Sequence, residues 1–316
     1  MQSKVPGILI ATLIDGKKKY YNFGFADVDK KIKFDSSTVF EIASITKTFT
    51  AFVLTKILKE KGISDTSPVS KYLPDSVQTN PSLEGISFLS LMNHTSGLPR
   101  IPEDLFLTSK NYLQPYENYS KEKLYHYLKN KKVHPTGKSE YSNLGAGLAG
   151  ILAENISHKS YEKLLEQNIF KPFRIHYPDS NAYKAVGYNM NKPAEYWKMT
   201  SLRSAGALRL NAVGMLAYLQ GMIKPANKKV AKIIALVTTP TISINQQIKV
   251  ARGWHTLEQE NKPSVFWHNG GSYGFSSFCA FSKEKKVAVF VVVNSFDKNN
   301  ISDGELGFSI IKKLTE

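Results

Sequence analysis

Cysteine is nearly absent from this chain of 316 residues, where Cys279 is the only one. A single thiol excludes any disulfide within the chain, although it does not fix the compartment in which the protein works. A chain of this length buries a substantial core and needs no covalent cross-links. Because Cys279 lies in the run Phe278-Cys279-Ala280-Phe281, we expect its side chain to be buried and packed in the core.

Long apolar runs and metal-binding motifs are also missing. No stretch approaches the roughly 20 apolar residues of a membrane-spanning helix, and residues 1–4 lead into a strand pattern without a signal peptide. The seven histidines are scattered, and no His-Glu-x-x-His motif occurs. The sequence therefore predicts no transmembrane segment, no signal peptide in this chain, no metal and no cofactor.

Acidic residues are few: 26 Asp and Glu stand against 42 Lys and Arg, for a net charge of +16. Such an excess raises the question of nucleic acid, because clustered basic side chains bind phosphate by counterion release. The lysines are instead spread through short runs typical of a solvated surface, at 17–19, 129–132 and 283–286. We predict no nucleic-acid partner and leave open a loose attraction to anionic cell-wall polymers or carboxylate substrates.

Strand patterns occupy both ends of the chain, and helical patterns occupy the middle. Asp15-Gly16 is a hairpin turn between residues 7–14 and 20–25. Further strands are predicted towards the C-terminus, before a final helix over 302–314, at 250–254, 264–268, 275–281 and 287–293. This order predicts an α/β fold of the α+β type. One sheet domain comprises 1–63 plus 200–316, a mostly helical lobe comprises 64–199, and the active site lies in the cleft between them.

A Ser-x-x-Lys string, Ser44 to Lys47, opens a helix. The string alone is weak evidence, since it recurs at Ser120, Ser160, Ser282, Ser295 and Ser309. After Ser44, however, an apolar helical stripe runs to Gly62, in the position of a C′ glycine, through Phe49, Phe52, Val53, Ile57 and Leu58. Residues three apart share a helix face, so Lys47 reaches the Ser44 hydroxyl, where unpaired helix N–H groups favour negative charge.

Two further strings supply a second proton carrier and a glycine-lined strand. Tyr141-Ser142-Asn143 precedes the small, apolar run 144–152, which another element can approach closely, whereas the Tyr-x-Asn strings at Tyr20 and Tyr116 have no such surface. His268-Asn269-Gly270-Gly271 contains the only His-x-Gly of the chain, and its glycines let backbone approach a ligand. Together the three strings supply what acyl transfer through a serine ester requires.

The three strings resemble the active-site motifs of the class C β-lactamase and penicillin-binding protein superfamily, which includes D-alanyl-D-alanine carboxypeptidases and esterases. Flanking segments resemble it as well, among them Pro135-Thr136-Gly137 and residues 204–208, and the resemblance spans nearly the whole chain. It implies the serine β-lactamase-like fold, in which an antiparallel sheet built from both termini is flanked by helices. It also implies a periplasmic or secreted location and a small-molecule or cell-wall peptide substrate.

The resemblance further implies a role for each matching residue. Ser44 attacks the acyl carbon, while Lys47 and Tyr141 share proton transfer. Asn143 holds the substrate amide and Lys47, and the backbone N–H groups of Ser44 and Gly271 form the oxyanion hole. The strand residues that contact substrate are His268, Asn269 and Gly270.

The third string departs from the pattern of typical β-lactamases, which carry Lys-Thr-Gly where this chain has His268-Asn269-Gly270. Lysine is charged at neutral pH and pairs with the carboxylate of β-lactams, whereas histidine is only partly charged. We therefore predict a serine hydrolase acting through an acyl-enzyme on a β-lactam or D-Ala-D-Ala-type peptide. The alternatives are a carboxylesterase of the same fold and a penicillin-binding receptor that does not turn over.

Some assignments depend on surroundings that the sequence does not give. Either Lys47 or Tyr141 can be the general base, and we expect Lys47 and His268, as nearby cations, to favour the anionic form of Tyr141. Ser272 matches a Gly-x-Ser-x-Gly elbow, but no histidine follows His268 as an α/β-hydrolase requires, so we predict that Ser272 is not the nucleophile. His94 is predicted to be a buried hydrogen-bonding residue.

Overall fold

The computed structural model describes residues 5–107, 109, 111–296 and 303–316. In chain order its strands are β1 Gly7–Ile14, β2 Lys17–Asp27, β3 Ile32–Lys33, β4 Phe40–Glu41, β5 Gly187–Asn189, β6 Lys192–Ala194, β7 Arg209–Leu210, β8 Ile242–Ser243, β9 Ile248–Val250, β10 His255–Leu257, β11 Val265–Gly271, β12 Ser276–Ser282 and β13 Val287–Val293. Nine of these strands form one antiparallel sheet in the order β3-β2-β1-β13-β12-β11-β10-β9-β8. The remaining strands pair as β4-β7 and β5-β6.

The α-helices in the described residues lie around this sheet. They are α1 Thr46–Lys61, α2 Asp75–Gln78, α3 Phe88–Met92, α4 Lys121–Asn130, α5 Asn143–Ser157, α6 Tyr161–Leu165, α7 Ala212–Ile223, α8 Lys228–Thr238 and α9 Asp303–Thr315. Within the described ranges, no helix has both the length and the apolar character that crossing a bilayer demands.

The two ends of the chain meet in the middle of the sheet. β1 pairs with β2 through the Asp15-Gly16 turn, whose φ angles of 48° and 83° suit a two-residue hairpin. On its other side β1 pairs with β13, from Ile8 opposite Val293 to Ile14 opposite Val287. The predicted fold class, one antiparallel sheet assembled from both termini, is therefore confirmed.

The sheet is covered by helices on both faces. α9 packs on one face, in an apolar cluster of Val265, Phe278, Ala280, Val287, Val289, Val291 and Ile311. The large core on the other face joins α1, α5 and α7 to alternate strand residues that include Leu9, Ala11, Phe281 and Phe290. Every residue of β13 is buried, which explains why its sequence is an unbroken apolar run.

Helix α1 lies at the centre of this core. The sequence predicted an amphipathic helix with one apolar stripe, but every residue from Thr46 to Thr55 is buried. Its threonines are accommodated by hydrogen bonds to backbone carbonyls, among them Thr48 to Ile45 at 2.8 Å and Thr50 to Ser204 at 2.7 Å. The predicted end of the helix is confirmed, because Gly62 caps it in the left-handed region with φ of 67°.

One predicted strand is wrong. Residues 250–254 do not continue as a strand, because the chain turns at Gly253 with φ of 75° between β9 and β10. A Cβ at Gly253 would lie 2.8 Å from the Lys47 carbonyl oxygen and from Ala51 Cβ, so this turn lies directly against α1. The predicted final helix is present as α9, while Ser302, its predicted first residue, lies outside the described residues.

The segment 64–199 holds α2 to α6 and the β5-β6 hairpin. That hairpin is joined to the end of the sheet, since Tyr188 N–H lies 3.1 Å from the Asn294 carbonyl oxygen and 3.2 Å from that of Gly274. α5 packs against α1. The division of the chain into a sheet domain and a helical lobe at residues 63 and 200 stays a prediction.

The small residues of α5 allow a neighbouring segment to approach its backbone. Ser204 donates from its hydroxyl to the carbonyls of Ala146 and Gly147, at 3.2 and 3.1 Å. A Cβ on Gly150 would lie 2.3 Å from Ser204 Cβ, and one on Gly147 would lie 2.3 Å from Leu202 Cδ2. This close approach fixes the segment that carries Ala205 beside α1.

We predict that Gly150→Ala lowers the free energy of unfolding by about 1–3 kcal/mol through overpacking, in spite of the gain of roughly 0.5–1 kcal/mol in helix propensity. The matched control is Gly85→Ala, whose new Cβ would meet only Pro135 Cγ at 3.4 Å and should leave stability nearly unchanged. Urea unfolding followed by circular dichroism measures both variants. Equal midpoints for the two would contradict the packing argument.

Candidate active site

Ser44 lies in a strained turn at the entrance to α1. Between Glu41 and Thr50 it is the one residue that is not buried. Ala43 before it has a φ of 46°, which is rare for alanine and costs backbone strain. Thr46 stabilises this strained backbone, because its hydroxyl donates to the Ala43 carbonyl at 2.6 Å and accepts from Leu208 N–H at 3.2 Å. The turn therefore presents the Ser44 hydroxyl to solvent from an otherwise buried segment.

Lys47 lies one helical turn after Ser44 and directs its side chain back to it. Nζ is 3.0 Å from the Ser44 hydroxyl oxygen and 2.6 Å from the Ala205 carbonyl oxygen. The residue is only 3% exposed. Burial, and secondly the charge of Arg100, hold the pKa of Lys47 well below its usual range, so its neutral amine forms at a lower pH than that of an exposed lysine.

Tyr141 forms the next wall of the site. Its hydroxyl lies near the Ser44 hydroxyl, and its ring centroid lies 4.8 Å from Lys47 Nζ and 5.1 Å from Arg100 Cζ. Burial raises the pKa of Tyr141 to about 12, although Ser44 and Arg100 act in the opposite direction. The expectation that nearby cations favour an anionic tyrosine is wrong here, because desolvation outweighs them.

Asn143 is the first residue of α5 and faces the Tyr116 hydroxyl. The helix start is fixed by Ser142, whose hydroxyl accepts from Gly145 N–H at 2.8 Å and donates to the Pro99 carbonyl at 2.7 Å. The sequence analysis assigned Asn143 to hold Lys47 as well. In the part of the chain described, the carbonyl partner of Lys47 is instead Ala205.

Strand β11 approaches the nucleophile from the other side. A Cβ on Gly270 would lie 2.4 Å from the Ile42 carbonyl oxygen and 3.0 Å from Ser44 N, so only glycine lets the strand come this close. Ser277, opposite Gly270 on β12, donates to the same Ile42 carbonyl at 3.0 Å. Asn269 on this strand is exposed, and Gly271 is partly exposed towards the cleft.

His268 lies beneath the cleft and not in its wall. It is 1% exposed, and its Nδ1 is 2.6 Å from the Asn269 carbonyl oxygen. Its ring centroid is 6.4 Å from that of Tyr141 and 5.4 Å from that of His255. Burial, reinforced by the charges of His255 and Lys47, holds the pKa of His268 well below its usual range. The prediction of a partly charged histidine that meets substrate is therefore corrected to a neutral, buried one.

His94 is buried as predicted, with φ of 66°. Its Nδ1 accepts from Ser142 N–H at 3.3 Å, and its ring centroid is 4.6 Å from that of Tyr141. Burial lowers its pKa to about 3, so it is a neutral acceptor that fixes the backbone next to Tyr141.

Ser272, the rejected elbow serine, is 1% exposed and lies beside the Glu41 carboxyl. It does not line the cleft. A substrate in the cleft therefore has no access to its hydroxyl, in agreement with the prediction that it is not the nucleophile.

The cleft encloses about 560 Å³. Its lining comprises Ser44, Arg100, Ile101, Tyr116, Tyr141, Asn143, Trp197, Met199, Ala205, Gly206, Asn269, Gly270, Gly271, Ser276 and Phe296. Within the described ranges, no group of three His, Cys, Asp or Glu side chains is arranged to hold a metal ion. The structure thus brings the Ser44 hydroxyl, the buried Lys47 amine, the Tyr141 phenol and the glycines of β11 together at one cleft.

Sequence reasoning missed several lining residues. Tyr116 was set aside as a loop residue, yet it faces Asn143 across the cleft. Arg100 ends the turn after α3 and belongs to none of the three strings. Trp197 and Met199 come from a segment without regular structure, so no periodicity could have singled them out.

Comparison with known proteins agrees with this geometry. The family described as Beta-lactamase matches residues 1–309. A protein named Beta-lactamase from Escherichia coli (strain K12) is 27% identical over 81% of this chain and 64% of its own length. Another Beta-lactamase, from Providencia stuartii, is 26% identical over 93% of this chain and 84% of its own length. Protein flp from Staphylococcus aureus (strain NCTC 8325 / PS 47) is 26% identical over 92% and 60%.

The chain therefore spans less than two thirds of the length of the relatives from E. coli and S. aureus. The family match, by contrast, covers nearly all of the chain, including the turn of Ser44, the start of α5 and strand β11. On this basis the chain belongs to the Beta-lactamase family.

Proposed function

We propose that the protein is a serine hydrolase that forms an acyl-enzyme on Ser44 and acts on a β-lactam or a D-Ala-D-Ala-type peptide. The observation that carries the proposal is the distance of 3.0 Å between Lys47 Nζ and the Ser44 hydroxyl oxygen, at a buried lysine whose pKa is lowered. A nucleophilic serine needs an adjacent base in its unprotonated form. Lys47 meets both conditions.

In the proposed acylation step, the neutral Lys47 amine takes the hydroxyl proton of Ser44. The Ser44 oxygen forms a bond to the substrate carbonyl carbon, and the carbonyl electron pair moves onto its oxygen. The Ser44 and Gly271 N–H groups would bind that oxyanion at the positive end of α1. Gly270 contributes by its missing side chain, because the strand can then lie against Ser44 N.

In this proposal Tyr141 donates and relays protons. Its pKa of about 12 keeps the phenol protonated, so it is a poor first base at neutral pH. Its hydroxyl lies near Ser44, where it can donate its proton to the departing nitrogen or oxygen, and the proton that Lys47 took from Ser44 then replaces it on the Tyr141 oxygen. The tetrahedral intermediate then collapses to the ester on Ser44 and the released leaving group. Such positioned proton transfer contributes typically about 10²–10⁴-fold to rate.

The alternatives share this first step and differ afterwards. A carboxylesterase would release an alcohol, and a receptor would keep the ester on Ser44 without hydrolysing it. A panel of nitrocefin, a D-Ala-D-Ala peptide and a short-chain p-nitrophenyl ester, read by product release and intact mass, separates them. Continued turnover identifies an enzyme, and a single stoichiometric burst identifies a trap. The periplasmic or secreted location and a loose cell-wall association stay predictions.

We predict that Ser44→Ala abolishes covalent labelling by a fluorescent penicillin or an alkyl phosphonate, because it removes the oxygen that forms the ester. Ser272→Ala is the matched control and should still be labelled, since Ser272 is 1% exposed outside the cleft. Gel fluorescence and intact mass measure both. Full labelling of Ser44→Ala would refute the assignment of the nucleophile.

The rate of acylation should rise with pH through the pKa of Lys47, because only the unprotonated amine accepts the serine proton. That pKa lies well below 10.5, since burial and Arg100 both disfavour the ammonium ion. Below it Lys47 is protonated and the rate is lost. Tyr141 stays protonated until the pH approaches about 12, while His94 and His268 stay neutral above the acid range.

The measurement is kcat/KM against pH for one uncharged ester substrate. A rising limb with no decline around pH 10, the ordinary tyrosine value, is the expected profile. A profile that lacks the rising limb and only falls around pH 10 would show that Lys47 is needed in its protonated form and would contradict Lys47 as the base.

We predict that His268→Lys, which would place the usual lysine at the first position of the third string, destabilises this protein by roughly 3–5 kcal/mol, because it buries an unpaired ammonium ion. Asn269→Lys is the control, since this neighbouring residue is exposed. In the folded His268→Lys variant the lysine pKa is depressed, so the unfolded state binds more protons, and the deficit should shrink as pH rises towards about 10.4. Urea unfolding at several pH values measures it. Equal stability of the two variants would contradict the burial argument.

A further inference from the structure

Arg100 is held at a fixed place beside the nucleophile. Its backbone carbonyl accepts hydrogen bonds from Asn143 N–H at 2.8 Å and Leu144 N–H at 3.3 Å, at the start of α5. The preceding Pro99 carbonyl accepts from the Ser142 hydroxyl at 2.7 Å. The turn that ends at Arg100 is therefore attached to the element that carries Tyr141, and its position does not depend on substrate.

The guanidinium extends over the ring of Tyr141, with Cζ 5.1 Å from the ring centroid. A planar guanidinium on an aromatic face is positioned by cation–π attraction while its N–H groups stay available at its edge. Lys47 Nζ lies 4.8 Å from the same ring centroid, but it is buried, whereas Arg100 is exposed to the cleft. Of the two cations, only Arg100 can be reached by a ligand without displacing the catalytic groups.

Arg100 has no acidic partner in the described part of the chain: no Asp or Glu oxygen there lies within 4.0 Å of its guanidinium. Arg203 and Arg252, by contrast, are paired with Glu154 and Asp65, at 2.6 and 2.5 Å. Among the described residues that line the cleft, Arg100 is also the one charged side chain. The described lining of the cleft thus carries one accessible positive charge and no compensating negative charge.

Position 268 of strand β11, where typical β-lactamases carry a lysine, does not supply a cation in this protein. His268 is 1% exposed, and burial holds its pKa well below the usual range. Among the described residues, a carboxylate that enters the cleft therefore finds the full charge of Arg100 to pair with. A guanidinium fork matches a carboxylate in a two-point hydrogen bond, and such charged pairs give both affinity and orientation.

We propose that Arg100 is the specificity-determining residue of this cleft and that it binds a carboxylate of the substrate. The inference rests on the proposed acylation of Ser44 and narrows its substrates to carboxylate-bearing acyl donors. The carboxylate can lie on the acyl group or on the leaving group, since Arg100 is close to Tyr141 and Asn143 alike. Both sources share one chemistry, and the two arms of the test distinguish them.

The test compares wild type with Arg100→Gln and Arg100→Lys on two pairs of esters. In the acyl pair, p-nitrophenyl hydrogen adipate is set against its methyl ester. In the leaving-group pair, 3-(butanoyloxy)benzoic acid is set against its methyl ester. Because Arg100 also lowers the pKa of Lys47, each enzyme is measured on the high-pH plateau of its own profile. Arg174→Gln, an exposed arginine outside the cleft, controls for the loss of one overall charge.

For the anionic member of at least one pair, Arg100→Gln should lose about 10–100-fold in kcat/KM, the scale of a charged hydrogen-bonded pair. The neutral member should change far less, and Arg100→Lys should be intermediate because it keeps the charge without the fork. Arg174→Gln should keep the wild-type ratio of anionic to neutral substrate. The pair that responds identifies the end of the substrate that carries the carboxylate.

Three results would overturn the inference. Equal losses on the charged and neutral members would show that Arg100 acts only through Tyr141 or Lys47. No loss on either member would show that Arg100 does not meet the carboxylate, and the same loss in Arg174→Gln would assign the effect to overall charge. If neutral ester hydrolysis still requires Ser44 in these cases, the proposed hydrolase function stands and only the role of Arg100 fails.

Discussion

The site depends on one buried lysine. Lys47 is held between the Ser44 hydroxyl and the Ala205 carbonyl inside a core that leaves it 3% exposed. Taking an ammonium ion out of water is costly, so the same burial that makes the position unfavourable for a charge favours the neutral amine that the proposed acylation needs. The enclosing structure contributes to this effect: α1 is buried along most of its length, and the Gly253 turn lies directly against the Lys47 backbone.

Close backbone approaches bring the parts of the site to this lysine. Gly147 and Gly150 on α5 let the segment through Ser204 come near, and that segment carries the Ala205 carbonyl. Gly270 lets β11 lie against the nucleophile turn. Because each glycine lacks a side chain, it contributes no packing of its own, but it allows contact between elements that are far apart in sequence. The catalytic geometry is thus a product of the packing of the whole core.

The charges around Tyr141 show why the identity of the base could not be read from residue types. Lys47 and Arg100 both lie over its ring, and the charge of Arg100 favours the phenolate, yet burial raises its pKa to about 12. Burial also keeps His268 and His94 neutral. The accessible cation among the described lining residues of the cleft is therefore Arg100, which belongs to a turn and not to the strand string. At each of these groups desolvation decides whether the pKa is raised or lowered, and no local sequence pattern shows how strongly a group is desolvated.

The sequence by itself determined the local elements and the family: the Asp15-Gly16 hairpin, the helix from Ser44 to its Gly62 cap, the sheet made from both ends and the three strings of the site. These follow from period, turn chemistry and spacing, which are local. Only the tertiary structure decided that His268 is buried, that Tyr116, Trp197 and Arg100 line the cleft, and that residues 250–254 turn at Gly253. Exposure and charge state depend on which distant residues cover a side chain, and that information exists only once the chain has packed.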